Sequence, residues 1–288
     1  MSYKKLKQII MKNKSFIISL LILLVLCVVM VSCKKDNTST ASNPNTPTYN
    51  NPEGSINGLF TVNESGNQVY FSKGNLQYNI STNIWRFAEH QYDYIDQNLF
   101  DDDWMDLFGW GTGDNPTNVL IEGDYSSFTD WGNNALSNGG DTVGVWRTLT
   151  KEEWLYVLDV RNTGSGIRYS KAQIDGINGV ILLPDFWNDE IYKLNNTNCS
   201  YIGFDSNVVS LSDWLTKFEA NGAVFLPTAG FRNNYVVGSG GVIGNYWSAT
   251  SISDSSLAWF VLFDNENLSD AGNHRWFGYS VRLVYDKE

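Results

Sequence analysis

Apolar positions change pattern twice along this chain. From Phe16 to Val31 they run nearly unbroken, with only Ser19 interrupting, whereas across residues 34–55 no apolar period survives among Asn, Thr, Ser and Pro. From about Gly58 onward they return in short bursts between Gly, Asn and Asp clusters, the pattern of short strands and turns. Strands are predicted at Leu59–Val62, Val69–Phe71, Trp85–Ala88, Val180–Leu183, Ala223–Leu226, Tyr246–Ala249, Leu257–Phe263 and Tyr279–Tyr285. Two segments carry the helical period instead. Thr150-Lys-Glu-Glu153 is a capping box that opens a helix to about Val160, with Trp154, Val157 and Leu158 on one face. Ser210–Ala220 sets Leu211, Trp214, Leu215 and Phe218 at i, i+3, i+4 and i+7 and stops at Asn221-Gly222. Two similar apolar segments ending in proline, Gly179–Pro184 and Gly222–Pro227, read as buried strands. Few helices among many short strands predict an α+β domain over 58–288 with long loops. Trp104, Trp110 and Trp131 in those loops predict that they are packed.

The N-terminal pattern describes export. Lys4, Lys5, Lys7, Lys12 and Lys14 flank the start of the apolar run, and residues 1–32 contain no acid. The run spans 16 residues, short of the roughly 20 that cross a bilayer and suited to a signal core. It ends in Met30-Val31-Ser32-Cys33, which resembles a lipobox. Residues 1–32 are therefore expected to be a lipoprotein signal peptide, with Met11 a second candidate start. Cys33 is the expected acylated residue and 33–57 a flexible tether, of which residues 34–55 alone reach up to about 70 Å. Two acyl chains anchor stably where one is marginal. Lys34 at the second mature position points to the outer membrane, and Lys34-Lys35-Asp36 is a partial match to a charged surface-export tag.

Charge narrows the partners. From Cys33 onward the chain has 15 Lys and Arg against 31 Asp and Glu, a net charge of −16, which argues against nucleic acid because phosphate contacts need basic patches. Besides Cys33 that portion keeps one cysteine, Cys199, so no intrachain disulfide framework is expected.

Several strings carry a family resemblance. Trp146-Arg-Thr-Leu-Thr-Lys-Glu-Glu-Trp154 and Gly278-Tyr-Ser-Val-Arg-Leu-Val284 resemble segments of formylglycine-generating-enzyme (sulfatase-modifying factor) domains. Tyr70–Tyr78, Trp85–Glu89, Leu107–Thr112, Ala223–Arg232 and Asn245–Thr250 bring the pattern closer to exported Fibrobacter-type major paralogous domain lipoproteins. The resemblance covers about 58–285 and implies a C-type-lectin-like fold: a small twisted antiparallel β core, two helices and long aromatic-rich loops. The C-terminal third also resembles the binding tract of retroelement-diversified variable proteins. Trp259, Glu266 and Trp276 cannot arise by adenine-targeted mutation of Asn codons, which leaves room for a static relative.

On that resemblance the expected ligand-binding residues are Asn233, Asn234, Tyr235, Asn245, Tyr246, Trp259, Asp264, Asn265, Glu266, Asn267, Asn273, His274 and Trp276. Ala258, Phe260 and Leu262 are expected to face inward, although both alternating sets of Leu257–Phe263 are apolar. The resembled oxidase uses a cysteine pair; Cys199 alone cannot supply it, so that activity does not carry over. No catalytic residue, cofactor or metal is assigned. His90 reads as a surface residue, Asp101-Asp102-Asp103 as a solvated turn, and Trp187-Asn188-Asp189 as a chance match to a calcium-ligating string. The expected role is a non-enzymatic adhesin-like or receptor-like module for a protein or glycan. The alternatives are a carbohydrate hydrolase using an acid pair such as Glu152/Glu153 or Asp185/Asp189, and a fimbrial component.

Replacing Cys33 by Ala is expected to abolish fatty-acid labelling and recovery in the membrane fraction. A variant that remains labelled and membrane-bound would contradict the lipoprotein assignment.

Overall fold

A computed structural model describes Pro47 and residues 49–95, 98–253 and 256–288. The signal segment and Cys33 lie outside the described residues. β1 (Ser55–Thr61) and β2 (Gln68–Ser72) form a hairpin, followed by β3 (Leu76–Asn79), β4 (Ile84–Phe87) and β5 (Trp104–Met105) in a small sheet ordered β4-β3-β5. After a long irregular stretch, β6 (Trp146–Thr148) leads into α1, which is α-helical over Lys151–Leu155 and continues as a π-helical turn over Tyr156–Val160. β7 (Tyr169–Ile174), β8 (Ile177–Leu182) and β9 (Val208–Val209) precede α2, which comprises Leu211–Asp213, a π turn over Trp214–Phe218 and a 3-10 turn over Glu219–Asn221. β10 (Val224–Pro227) completes the sheet β10-β8-β7-β9. The hairpin β11 (Phe231–Asn233) and β12 (Val236–Gly238) leads to the meander β13 (Gly244–Ser251), β14 (Leu257–Phe263) and β15 (Leu268–His274). β16 (Leu283–Asp286) returns to the first sheet, ordered β1-β2-β16-β6.

The architecture is α+β: small, mostly antiparallel sheets with two short helices. Both helix starts follow the sequence signal. Thr150 and Glu153 make the reciprocal capping bonds, and Ser210 caps Asp213 N–H. Gly222 ends α2 at φ +80°, a left-handed conformation that glycine adopts without cost. The folded chain reaches further back than Gly58. β1 opens at Ser55, and Tyr49 packs its ring 6.2 Å from Tyr70 and 6.1 Å from Phe186. The expected strand Tyr279–Tyr285 is a strand only from Leu283, with isolated bridges at Tyr279 and Ser280. Among the described residues no helix is long and apolar enough to cross a membrane.

Three apolar clusters fill the interior. One joins Phe60, Phe71 and Trp154 to Leu182, Tyr246 and Phe263. A second gathers Trp85, Phe108, Trp131, Trp146, Trp247 and Phe260. The third sets Trp187 and Trp214 around Phe218 beside β8 and β10. Trp110 and Trp131 are buried as the loop pattern requires, and Trp110 Nε1 donates to Ser248 O at 2.9 Å. Trp104 is half-buried under the Arg86 guanidinium.

Buried ionic groups tie the layers together. Arg161, fully buried at the end of α1, donates Nη1 to Asp185 at 3.0 Å, Nε to Val157 O and Nη2 to Leu183 O and Arg168 O. Burial lowers its pKa to about 10 despite the Asp185 charge. The second carboxylate oxygen of Asp185 accepts from Thr61 N–H, Thr61 Oγ1 and Gln68 Nε2, so one acid links β1, β2 and α1. Asp106 is buried more completely. Its Oδ2 accepts from Ile95 N–H at 2.8 Å, and burial pushes the carboxyl up to about 7.

Two predictions follow from these groups. Asp185→Ala leaves a buried guanidinium without its counter-charge and should cost about 3–5 kcal/mol in denaturant unfolding; a loss under about 1 kcal/mol would show that the pair is dispensable. For Asp106 the folded value lies above the ordinary carboxylate value of 3.8. Its contribution to stability is therefore complete below about pH 4 and is lost as the pH rises through about 7. Asp106→Asn should accordingly raise the melting temperature relative to the native chain at about pH 8, with the gap closing toward about pH 4.5. A gap independent of pH contradicts the shift.

Candidate functional site

The tract from β11 onward is held to the long irregular segment 106–145 by two buried arginines. Arg232 points inward from the middle of β11, between half-buried Phe231 and exposed Asn233. Its Nε donates to Leu107 O at 3.2 Å, and its Nη1 to Val119 O at 2.7 Å and Asn234 O at 3.3 Å. Burial lowers its pKa to about 10. Gly278 leaves room for this side chain, because a Cβ there would lie 2.4 Å from Arg232 Nε. Arg275 donates Nε to Leu257 O and Nη1 to Tyr125 O at 3.0 Å, with its guanidinium carbon 4.3 Å from the Trp110 ring centroid. Tyr125 Oη shares its one proton between Leu120 O at 3.0 Å and Asn118 O at 3.1 Å, and Asn234 Oδ1 accepts from Ile121 N–H at 2.9 Å. Loop 107–126 and the β11–β12 turn thus meet, leaving Leu120 and Ile121 exposed alongside Tyr235 and Val236.

Beside this junction lies a shallow apolar groove of about 230 Å³, lined by Phe231, Ile243, Phe260, Leu262, Phe277 and Tyr279. Phe231 and Phe277 sit 6.0 Å apart by ring centroids, and Phe260 and Tyr279 sit 4.6 Å apart. Asn245 and Asn273 also reach the lining. Both amides are engaged within the protein, Asn245 Nδ2 with Gly230 O and Asn273 Nδ2 with Tyr279 Oη. Burial pushes the Tyr279 phenol up to about 12. Trp276, stacked on His274 at 4.0 Å and adjacent to Phe277, lines a second depression of about 280 Å³ with Ile121, Asp124, Tyr125 and Arg275.

The expected binding residues separate into distinct environments. Asn233 and Tyr235 are exposed, Tyr235 at 64%, and Asn234, Asn273, His274 and Trp276 are half-buried around the face just described. Tyr246 is not available to a partner. It is fully buried in β13, its Oη donates to Pro227 O and accepts from Asn75 Nδ2, and its ring stacks on Phe263. Asn245 is buried too and reaches the groove only as lining.

Trp259 corrects a further expectation. On β14, Ala258 and Phe260 are buried as expected, but Phe260 and Leu262 line the groove. Trp259 projects to the other face, under Lys151 Nζ at 3.4 Å from its ring, and Lys151 is held by Asp270 at 3.1 Å. Asp264, Asn265, Glu266 and Asn267 form the β14–β15 turn. Asp264 Oδ1 accepts from the Glu266 and Asn267 N–H groups, and Asn265 Oδ1 accepts from Phe204 N–H.

The remaining candidates have structural partners. Trp187 is fully buried against Phe218, and Glu153 and Asp185 are held by Arg147 and Arg161. Cys199 is a half-buried free thiol, Asp101, Asp102 and Asp103 are exposed, and His90 stacks on Tyr92. Among the described residues no group of three or more His, Cys, Asp or Glu could hold a metal ion. Sequence reasoning missed Phe231, Phe277 and Tyr279, and it missed loop 119–126. The aliphatic run Val119-Leu120-Ile121 inside an otherwise polar loop was the available signal.

These positions make opposite predictions for two tryptophans. Trp259→Ala removes packing against α1 and should cost about 2 kcal/mol in unfolding free energy. Trp276→Ala should cost less than about 1 kcal/mol. Equal losses in denaturant melts would contradict the assignment of the two rings to different faces. No protein-family model, curated protein or solved structure matches this chain, so this face is read from its own geometry.

Proposed function

We propose that this chain is an envelope lipoprotein, anchored through Cys33, whose C-type-lectin-like domain is a non-enzymatic binding module. The observation that carries the reading is the groove of Phe231, Phe260, Leu262, Phe277 and Tyr279 beside the depression lined by Trp276. Half-buried rings of Phe231, Trp276 and Phe277, on a backbone fixed by buried hydrogen bonds, offer contact area at low entropic cost. The lectin-like reading is supported by the pairing of β2 with β16, which joins the two ends of the domain in one sheet, and by two helices beside long packed loops. The tether and acyl anchor would place this face outside the cytoplasm, at the outer membrane or cell surface.

The test uses the full-length chain in detergent against arrayed glycans and extracellular-matrix proteins. Phe277→Ala, with the domain still folded by its melting curve, should weaken a captured partner about 10-fold or more. Undiminished capture would contradict the site, and cleavage of an arrayed glycan would favour the hydrolase alternative.

A further inference from the structure

The chemistry of the groove narrows the ligand class, and the inference rests on the binding-module reading above. At about 230 Å³ the groove is smaller than the ~300–1,000 Å³ pockets that enclose a whole small molecule. Its walls are aromatic and aliphatic. The amide nitrogens of Asn245 and Asn273 each commit one of their two N–H donors, to Gly230 O and Tyr279 Oη, which leaves at most one apiece for a sugar hydroxyl. A saccharide entering here would bury hydroxyl groups with few partners, a cost of about 1–3 kcal/mol each. One large apolar side chain carries no such cost.

Charge adds a preference, beginning with exposed Glu122 and Asp124 on the loop that borders this face. Residues 49–288 hold 13 Lys and Arg against 30 Asp and Glu, and Arg161, Lys171, Arg232, Arg275 and Arg282 among those cations are buried. The accessible surface is therefore more acidic than the composition. Such a field attracts a basic partner and opposes a second copy of the same chain.

We infer that the groove of Phe231, Phe260, Leu262, Phe277 and Tyr279 takes one large apolar side chain of a polypeptide whose flanking residues are basic. Exposed Leu120, Ile121, Tyr235 and Val236 extend the contact beyond the groove. The partner is a protein segment, with the aromatic or aliphatic side chain as anchor and Lys or Arg facing the acidic surround.

The probe is a phage-displayed random peptide library panned on the full-length chain in detergent, with a glycan array run on the same material. Enriched peptides should carry Phe, Trp, Leu or Met within a few residues of Lys or Arg. Their affinity should fall about 10-fold or more with Phe277→Ala and with Leu262→Ser, and their association should slow as salt rises. Two variants, each checked by its melting curve, separate loss of the groove from loss of the fold. Peptides that lack an apolar anchor, or that bind both folded variants equally, overturn the inference. Glycan binding lost in the variants, without peptide enrichment, overturns the polypeptide class but leaves the binding face standing. If no bound species responds to either variant, both readings fail. Self-association at rising concentration that Phe277→Ala abolishes would replace the basic partner with a second copy.

Discussion

Much of this fold is irregular backbone inside the protein, and irregular backbone cannot satisfy its own carbonyl groups as helices and sheets do. A buried carbonyl without a donor costs about 1–3 kcal/mol. Here buried guanidinium groups supply the donors. Arg161 serves Val157, Arg168 and Leu183; Arg232 serves Leu107, Val119 and Asn234; Arg275 serves Tyr125 and Leu257. Arg282 reaches the side-chain oxygens of Gln91 and Asn75, and Gln91 bridges onward to Ala223 O and Phe225 N–H. Only arginine offers five donors in a planar fork that stays charged when buried. The lowered pKa values of Arg161, Arg232 and Arg282, near 10, record the desolvation this arrangement imposes.

The same device shapes the proposed binding face. Arg232 and Arg275 arise in the C-terminal tract and fix a loop more than a hundred residues earlier, so the face is assembled from two distant parts of the chain. Leu120 and Ile121 stay exposed without being loose, because the backbone around them is held by Arg232, Asn234 and Tyr125. Rings already fixed before contact lose less freedom on binding. Rigidity of the loop and availability of the groove are two consequences of one set of hydrogen bonds.

The sequence made some of this legible. Both helices announced themselves through local signals, the Thr150/Glu153 box and the Asn221-Gly222 stop, because capping is decided within a few residues. Half of the strands were visible, most of them rich in β-branched and aromatic residues; β3, β5, β6, β7, β9, β11, β12 and β15 were not. β7 reads Tyr-Ser-Lys-Ala-Gln-Ile and buries Lys171, whose Nζ finds Ser200 O at 2.7 Å, a distant partner that no local pattern encodes. β14 is apolar on both faces, so its period could not tell that Trp259 meets Lys151 while Phe260 meets the groove. Tyr246 looked like a surface anchor because its hydroxyl partners, Pro227 O and Asn75, are supplied by other strands or loops. The arginines were hidden for the same reason: a charge in a short strand, in a turn or at a helix end reads as exposed until its acceptors are known.

The most direct test of this account is hydrogen exchange on Arg232→Lys, which keeps the charge and removes the planar fork. Losing charge-assisted bonds to Leu107 O, Val119 O and Asn234 O should speed amide exchange across 107–126 and 233–236 by about 10-fold or more, while β7 and β8 stay protected. Unchanged exchange in those two segments would mean that the guanidinium does not hold the loop, and the central claim would fall.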